Sequence, residues 1–144
     1  MVRTARYVYA ALAWAFLVGV VVQVFFIGLG LFAGSENLAL HVNFGYILHL
    51  APILILLTAI LARVGRRQIL IALALAVTVF IVPILAFPGL RGDMPLLAAL
   101  HPVAALLAFW LSIVVARGAT AAALESRADQ PTSEGSEEGS EAAV

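Results

Sequence analysis

The sequence holds no cysteine and no lysine, and only 11% of its 144 residues are charged. The missing cysteine excludes disulfides, thiolate metal sites, iron–sulfur clusters, covalent c-type haem attachment and thiol catalysis. It leaves the redox compartment open. A soluble domain carries about 25% charged residues, so the low charge leaves no room for a soluble domain beside a membrane body. Every basic residue is arginine, and with the abundant alanine this fits a GC-rich bacterial genome.

What the chain does have is 64% hydrophobic residues, arranged in long blocks and not in an amphipathic stripe. A bilayer-spanning helix needs roughly 17–25 such residues. Four blocks reach that length, at about 7–33, 38–62, 68–87 and 96–116. The first is about twice the roughly 7–15 residues of a signal-peptide core and reads as an uncleaved span. The expected fold is all-α: a four-helix transmembrane bundle, up-down-up-down, over residues 1–118. Residues 119–144 form a tail beyond it. Thr120–Arg127 extends the helix as a frayed end, and Asp129–Val144 is Ser, Glu, Gly and Ala without periodicity, which predicts disorder.

The formal net charge of zero hides an asymmetry. Seven arginines (3, 6, 63, 66, 67, 91 and 117) stand against Glu36 and Asp93 up to residue 117, and an acidic tail follows. On the expected path all of these arginines but Arg91 fall on one side. The positive-inside rule therefore places both termini in the cytoplasm of a multi-pass bacterial plasma-membrane protein.

The polar residues within the spans carry the functional argument. At about 1.5 Å per helical residue, Gln23, His49, Pro83 and His101 lie about 21–25 Å from the arginine anchors of their own helices. His41 lies about 33 Å up, near the outer surface. The second and fourth helices of such a bundle are diagonal, roughly 12–14 Å apart. That is too wide for two imidazoles to chelate a bare ion at about 2 Å each, but it suits a haem iron between His49 and His101. Gly45, one helical turn from both His41 and His49, leaves space for a flat macrocycle. Phe25, Phe26, Phe44, Tyr46 and Phe80 are at a depth to line the pocket. Arg91 can pair with haem propionates, His41 or Tyr46 can donate to them, and Gln23 can orient a ligand. Pro102 directly after His101 can kink the helix and aim the ring.

Each feature also has a plainer explanation. Intramembrane polar groups glue helices together, and His49 and His101 can bond across helices to Gln23 or serve a proton path. His41 can be an interfacial helix-end residue, and the aromatics an interfacial belt. Arg91-Gly92-Asp93 spells an adhesion tripeptide, read here as chance.

The segments His41–His49 (His-Val-Asn-Phe-Gly-Tyr-Ile-Leu-His), 86–92 (Ala-Phe-Pro-Gly-Leu-Arg-Gly) and 100–106 (Leu-His-Pro-Val-Ala-Ala-Leu) resemble an uncharacterised family of small four-span bacterial membrane proteins, over about residues 8–117. More distantly, the layout is similar to one four-helix half of haem A synthase, whose ligand histidines sit on the second and fourth helices. That likeness implies His49 and His101 as axial ligands. It does not extend to enzyme activity, because Glu36 is the only acidic residue of the first loop and a second bundle is absent from the chain.

The leading expectation is a cytochrome b-like protein that binds haem b between helices 2 and 4, for electron transfer or redox sensing, in the lipid bilayer with a membrane redox partner. No catalytic residue and no nucleic-acid partner is expected. Two further readings stay open: a non-catalytic membrane subunit of a larger complex, and a small transporter or proton-conducting protein using His49, His101 and Gln23. Against the last stands the lack of an inverted repeat or of any acidic residue in a span.

Overall fold

The computed structural model describes residues 1–90 and 94–128. The chain runs through α1 (Val2–Phe32), a short 3-10 turn (Ser35–Asn37), α2 (Leu38–Leu48), α3 (Ala51–Leu61), α4 (Gly65–Leu90), α5 (Pro95–Ala98) and α6 (Leu100–Ala128). There is no strand among the described residues. Four helical stretches are long and apolar enough to cross a membrane: Val2–Phe32, Ser35–Leu61, Gly65–Phe87 and Pro95–Ala128. The chain is a multi-pass membrane protein. The expected disorder of 129–144 concerns residues outside those described.

Neighbours follow a closed ring. α1 packs against α2, α3 and α6, and α4 packs against α3 and α6. This is the up-down-up-down order that short loops impose.

Proline explains where the long helices break. Pro52 has no N–H, so the second span is interrupted between α2 and α3, with Leu50 N–H donating to Ile47 O across the junction at 3.3 Å. Pro102 falls in the first turn of α6, where a missing N–H costs little, and the helix restarts at Leu100 after the short α5. Pro83 lies inside α4 without ending it. The loop joining α3 to α4 is only Ala62–Val64. Arg63 adopts φ 52°, and Val64 N–H reaches back to Ala59 O at 3.4 Å. This left-handed closure satisfies carbonyls at the end of α3.

The two halves of the bundle pack differently. The half that carries the termini holds the core: Tyr9, Ala13, Phe16, Ile55, Ala59, Ala62, Ala72, Leu75, Val115, Ala116 and Ala119 are buried. Apolar burial does not drive helices together in lipid. Close approach of small residues does, and alanine dominates this list. Polar side chains add crosslinks. Arg6 donates to Ala62 O and Ala122 O at 3.3 and 3.2 Å and to Ser126 Oγ at 3.0 Å. Gln68 Nε2 donates to Tyr9 Oη at 3.0 Å and to Val115 O at 3.1 Å. Trp14 Nε1 donates to Thr120 Oγ1 at 2.9 Å.

These contacts carry α6 beyond the expected span end at 116, through Ala128. Ala119, Ala122 and Ala123 are buried, so the segment expected to fray is part of the packed body. In the distal half, by contrast, α2 has no buried residue and makes at most marginal contact with α4 or α6. The bundle is tight at one end and open at the other.

The space over Gly118 is filled by the Gln68 side chain, which a Cβ there would strike. Gly118→Ala is therefore expected to lower stability by about 1–3 kcal/mol, read as a lower thermal midpoint in detergent. Gly28 has open space around it, and Gly28→Ala should leave the midpoint unchanged or raise it.

Candidate functional site

The open half contains a cavity of about 570 Å³ between α1, α2, α4, α5 and α6, within the usual range for small-molecule sites. Its walls include Gln23, His41, Gly45, Tyr46, His49, Pro83, Phe87 and His101. The structure thus brings together six of the seven residues expected to form a site from sequence. The seventh, Arg91, lies outside the described residues.

All three histidines of the chain are held in the same way, by a hydrogen bond from Nδ1 to a backbone carbonyl. His49 Nδ1–H donates to Gly45 O at 2.7 Å, His101 Nδ1–H to Val82 O at 2.8 Å, and His41 Nδ1–H to Gln23 O at 3.1 Å. A carbonyl only accepts, so the proton of each neutral imidazole sits on Nδ1 and the lone pair on Nε2. The Nε2 atoms form no hydrogen bond among the described residues. His49 Nε2 is fully buried and unpartnered, and so is Gln23 Oε1.

Gln23 and His41 form a reciprocal clasp between α1 and α2. The Gln23 amide donates to His41 O at 2.7 Å while the His41 ring donates to Gln23 O. The first of these bonds fixes the amide's orientation, with nitrogen toward α2 and Oε1 left as a free acceptor. Gly45 is what lets the amide in, since a Cβ there would come within 2.9 Å of Gln23 Nε2. The space expected for a macrocycle over Gly45 is therefore filled in part by Gln23.

The ring pairing also differs from the depth count. His101 faces His41, with ring centres 6.4 Å apart and planes at 68°. His49 sits beside Phe80, ring centres 5.8 Å apart. Counting residues along straight helices put His41 well above His101. The difference comes from the anchors: Arg6 bonds to Ala62 O and Ala122 O together, so Arg117 is not level with Arg63, and 21 residues separate His41 from Ala62 as they do His101 from Ala122. Of the aromatics expected in the pocket, Phe26 and Phe44 instead pack edge to face at 5.4 Å between α1 and α2. Phe87, not singled out in the sequence, takes a place in the wall, and Tyr46 remains 63% exposed. The Val82 carbonyl that orients His101 could not be read from sequence, because a main-chain acceptor leaves no signal there.

Among the described residues, no group of three or more His, Cys, Asp or Glu is placed to hold a metal ion.

Residues 23–89 match the profile of a family of unknown function (DUF6220). The chain is similar to that family from the last third of its first span through its third, including His41, Gly45 and His49, and the match ends before His101. No curated protein and no solved structure matches the chain, so the comparisons lend nothing to the likeness to haem A synthase.

Gly45→Ala is expected to push the Gln23 amide off His41 O and loosen α2. An interhelical bond of this kind is worth about 0.6–2 kcal/mol. Hydrogen exchange should accelerate several-fold across 38–48 while 51–61 is unchanged.

Proposed function

We propose that the cavity holds a b-type haem and that the protein carries or senses electrons within the membrane. One observation carries this reading: imidazoles on two different spans line one cavity, each with Nδ1–H engaged by a backbone carbonyl and the Nε2 lone pair unused. This is how a metal-ligating histidine is ordinarily oriented by its surroundings. Acceptors dominate the free polar groups of the described lining: three Nε2 atoms and Gln23 Oε1 against the one hydroxyl of Tyr46, so the favoured occupant brings a Lewis acid or hydrogen-bond donors.

His41 and His101 are the pair that would hold the group, since their rings face each other across the cavity with centres 6.4 Å apart. The group would supply a one-electron centre for electron transfer or sensing. Gln23 and Val82 hold the two rings through their carbonyls, and Pro83, Phe87 and Ile27 exclude water. The expectation that Arg91 pairs with propionates goes with this reading.

The pair His49 with His101 is a second reading, favoured by the buried, unpartnered Nε2 of His49.

The test is a dithionite-reduced minus air-oxidised absorption spectrum of the purified protein, expressed with haem supply. Sharp low-spin b-type bands are expected, lost in His41→Ala and His101→Ala and kept in His49→Ala. His101→Met, which retains a ligand of another kind, should shift the bands and not abolish them. Bands lost in His49→Ala but kept in His41→Ala would select the second pair. A folded, colourless protein would overturn haem binding and leave the membrane-subunit and transporter readings.

A further inference from the structure

The opposite end of the bundle carries a second recess, independent of the histidine cavity. It is a groove of about 690 Å³ between α4 and α6, lined by Arg66, Arg67, Leu70, Ile71, Ala74 and Leu111. Its composition is divided along its length. The two arginines stand in the first turn of α4. Below them Leu70, Ile71 and Ala74 follow at helical spacing on one face, with Leu111 of α6 as the other wall. From Arg67 to Ala74 the apolar wall runs about 10 Å along the helix axis.

The arginines have no acidic partner among the described residues, where the one ion pair is Arg6 with Glu125 at 3.9 Å. Both are exposed. Arginine presents a planar, bidentate donor set that matches phosphate oxygens. A membrane-facing groove with unpaired cations at its mouth and hydrocarbon walls below fits one class of molecule.

We propose that this groove binds a phospholipid with a net negative headgroup, its phosphate on Arg66 and Arg67 and one acyl chain against Leu70, Ala74 and Leu111. Charge complementarity selects the headgroup, and the apolar wall distinguishes a lipid from a free anion. Basic recesses between transmembrane helices near the membrane surface bind anionic lipid by this combination. The lipid adds apolar contact between α4 and α6 beside the core pair Leu75 and Leu111.

The test is native mass spectrometry of the full chain, released from micelles containing phosphatidylglycerol and phosphatidylcholine in equal amounts. Retention of one phosphatidylglycerol in preference to phosphatidylcholine is expected. Removing both charges with Arg66→Gln and Arg67→Gln should weaken retention about tenfold or more. Ala74→Phe fills the groove without altering charge and should weaken it as well. Millimolar inorganic phosphate should not displace the lipid. Equal retention of both lipids, an unchanged arginine double variant, an unchanged Ala74→Phe, or displacement by phosphate would each overturn the proposal. The variants lie far from the histidines, and an unchanged thermal midpoint in detergent serves as an internal control of fold.

Discussion

Hydrocarbon offers no water to an unpaired polar group, and this constraint shapes the distal half of the protein more than any other. An imidazole placed there must find a partner for its N–H, and each of the three finds a backbone carbonyl. Once that proton is spent, the second nitrogen can only accept. The need to satisfy one side of the ring thus decides the chemistry of the other. The same constraint fixes Gln23, whose amide nitrogen goes to His41 O and whose oxygen is left over.

The terminal half answers the constraint by crosslinking. Arg6 joins the carbonyl of Ala62, just after α3, to that of Ala122 inside α6, and Gln68 joins α4 to Tyr9 of α1 and to Val115 of α6. With alanine-rich faces between them, α1, α3, α4 and α6 meet closely at this end. Larger residues (Phe26, Phe44, Tyr46 and Phe87) and three prolines occupy the other. The crosslinked end holds the helices in order while the distal end stays apart, so the cavity does not collapse. A site in the loosely packed half can also take up a ligand without disrupting the core that keeps the chain folded.

Much of this was legible in the sequence. Composition and block length give the four spans, and the few polar residues within them are among those that line the distal cavity, charged and polar groups in lipid being costly enough to be rare. The depth count fails for His101 because it treats Arg63 and Arg117 as level, whereas Arg6 bonds to Ala62 O and Ala122 O together, so His41 meets His101 and His49 meets Phe80. Gly45 was read as room for a ligand, and in the fold it is room for Gln23. Arg6 and Gln68 looked like boundary residues of their spans. Their role depends on which carbonyls lie opposite, which sequence does not encode locally. The continuation of the helix over Thr120–Arg127 is legible in the sequence but its packing is not, because an alanine-rich stretch gives weak hydropathy yet packs well.

The two unpartnered buried acceptors bear on how the cavity binds anything at all. An unsatisfied buried polar atom costs about 1–3 kcal/mol, and the distal half carries this cost at Gln23 Oε1 and at His49 Nε2. An occupant that supplies a donor or a metal centre removes part of it, and that gain adds to affinity. An occupant that supplies only acceptors, such as a carbonyl oxygen, leaves the cost in place and adds repulsion between lone pairs. The cavity is thus biased toward electron-pair acceptors before its shape is considered. The backbone sets this bias, because the carbonyls of Gln23, Gly45 and Val82 each take the one N–H of a ring and leave Nε2 as its free atom.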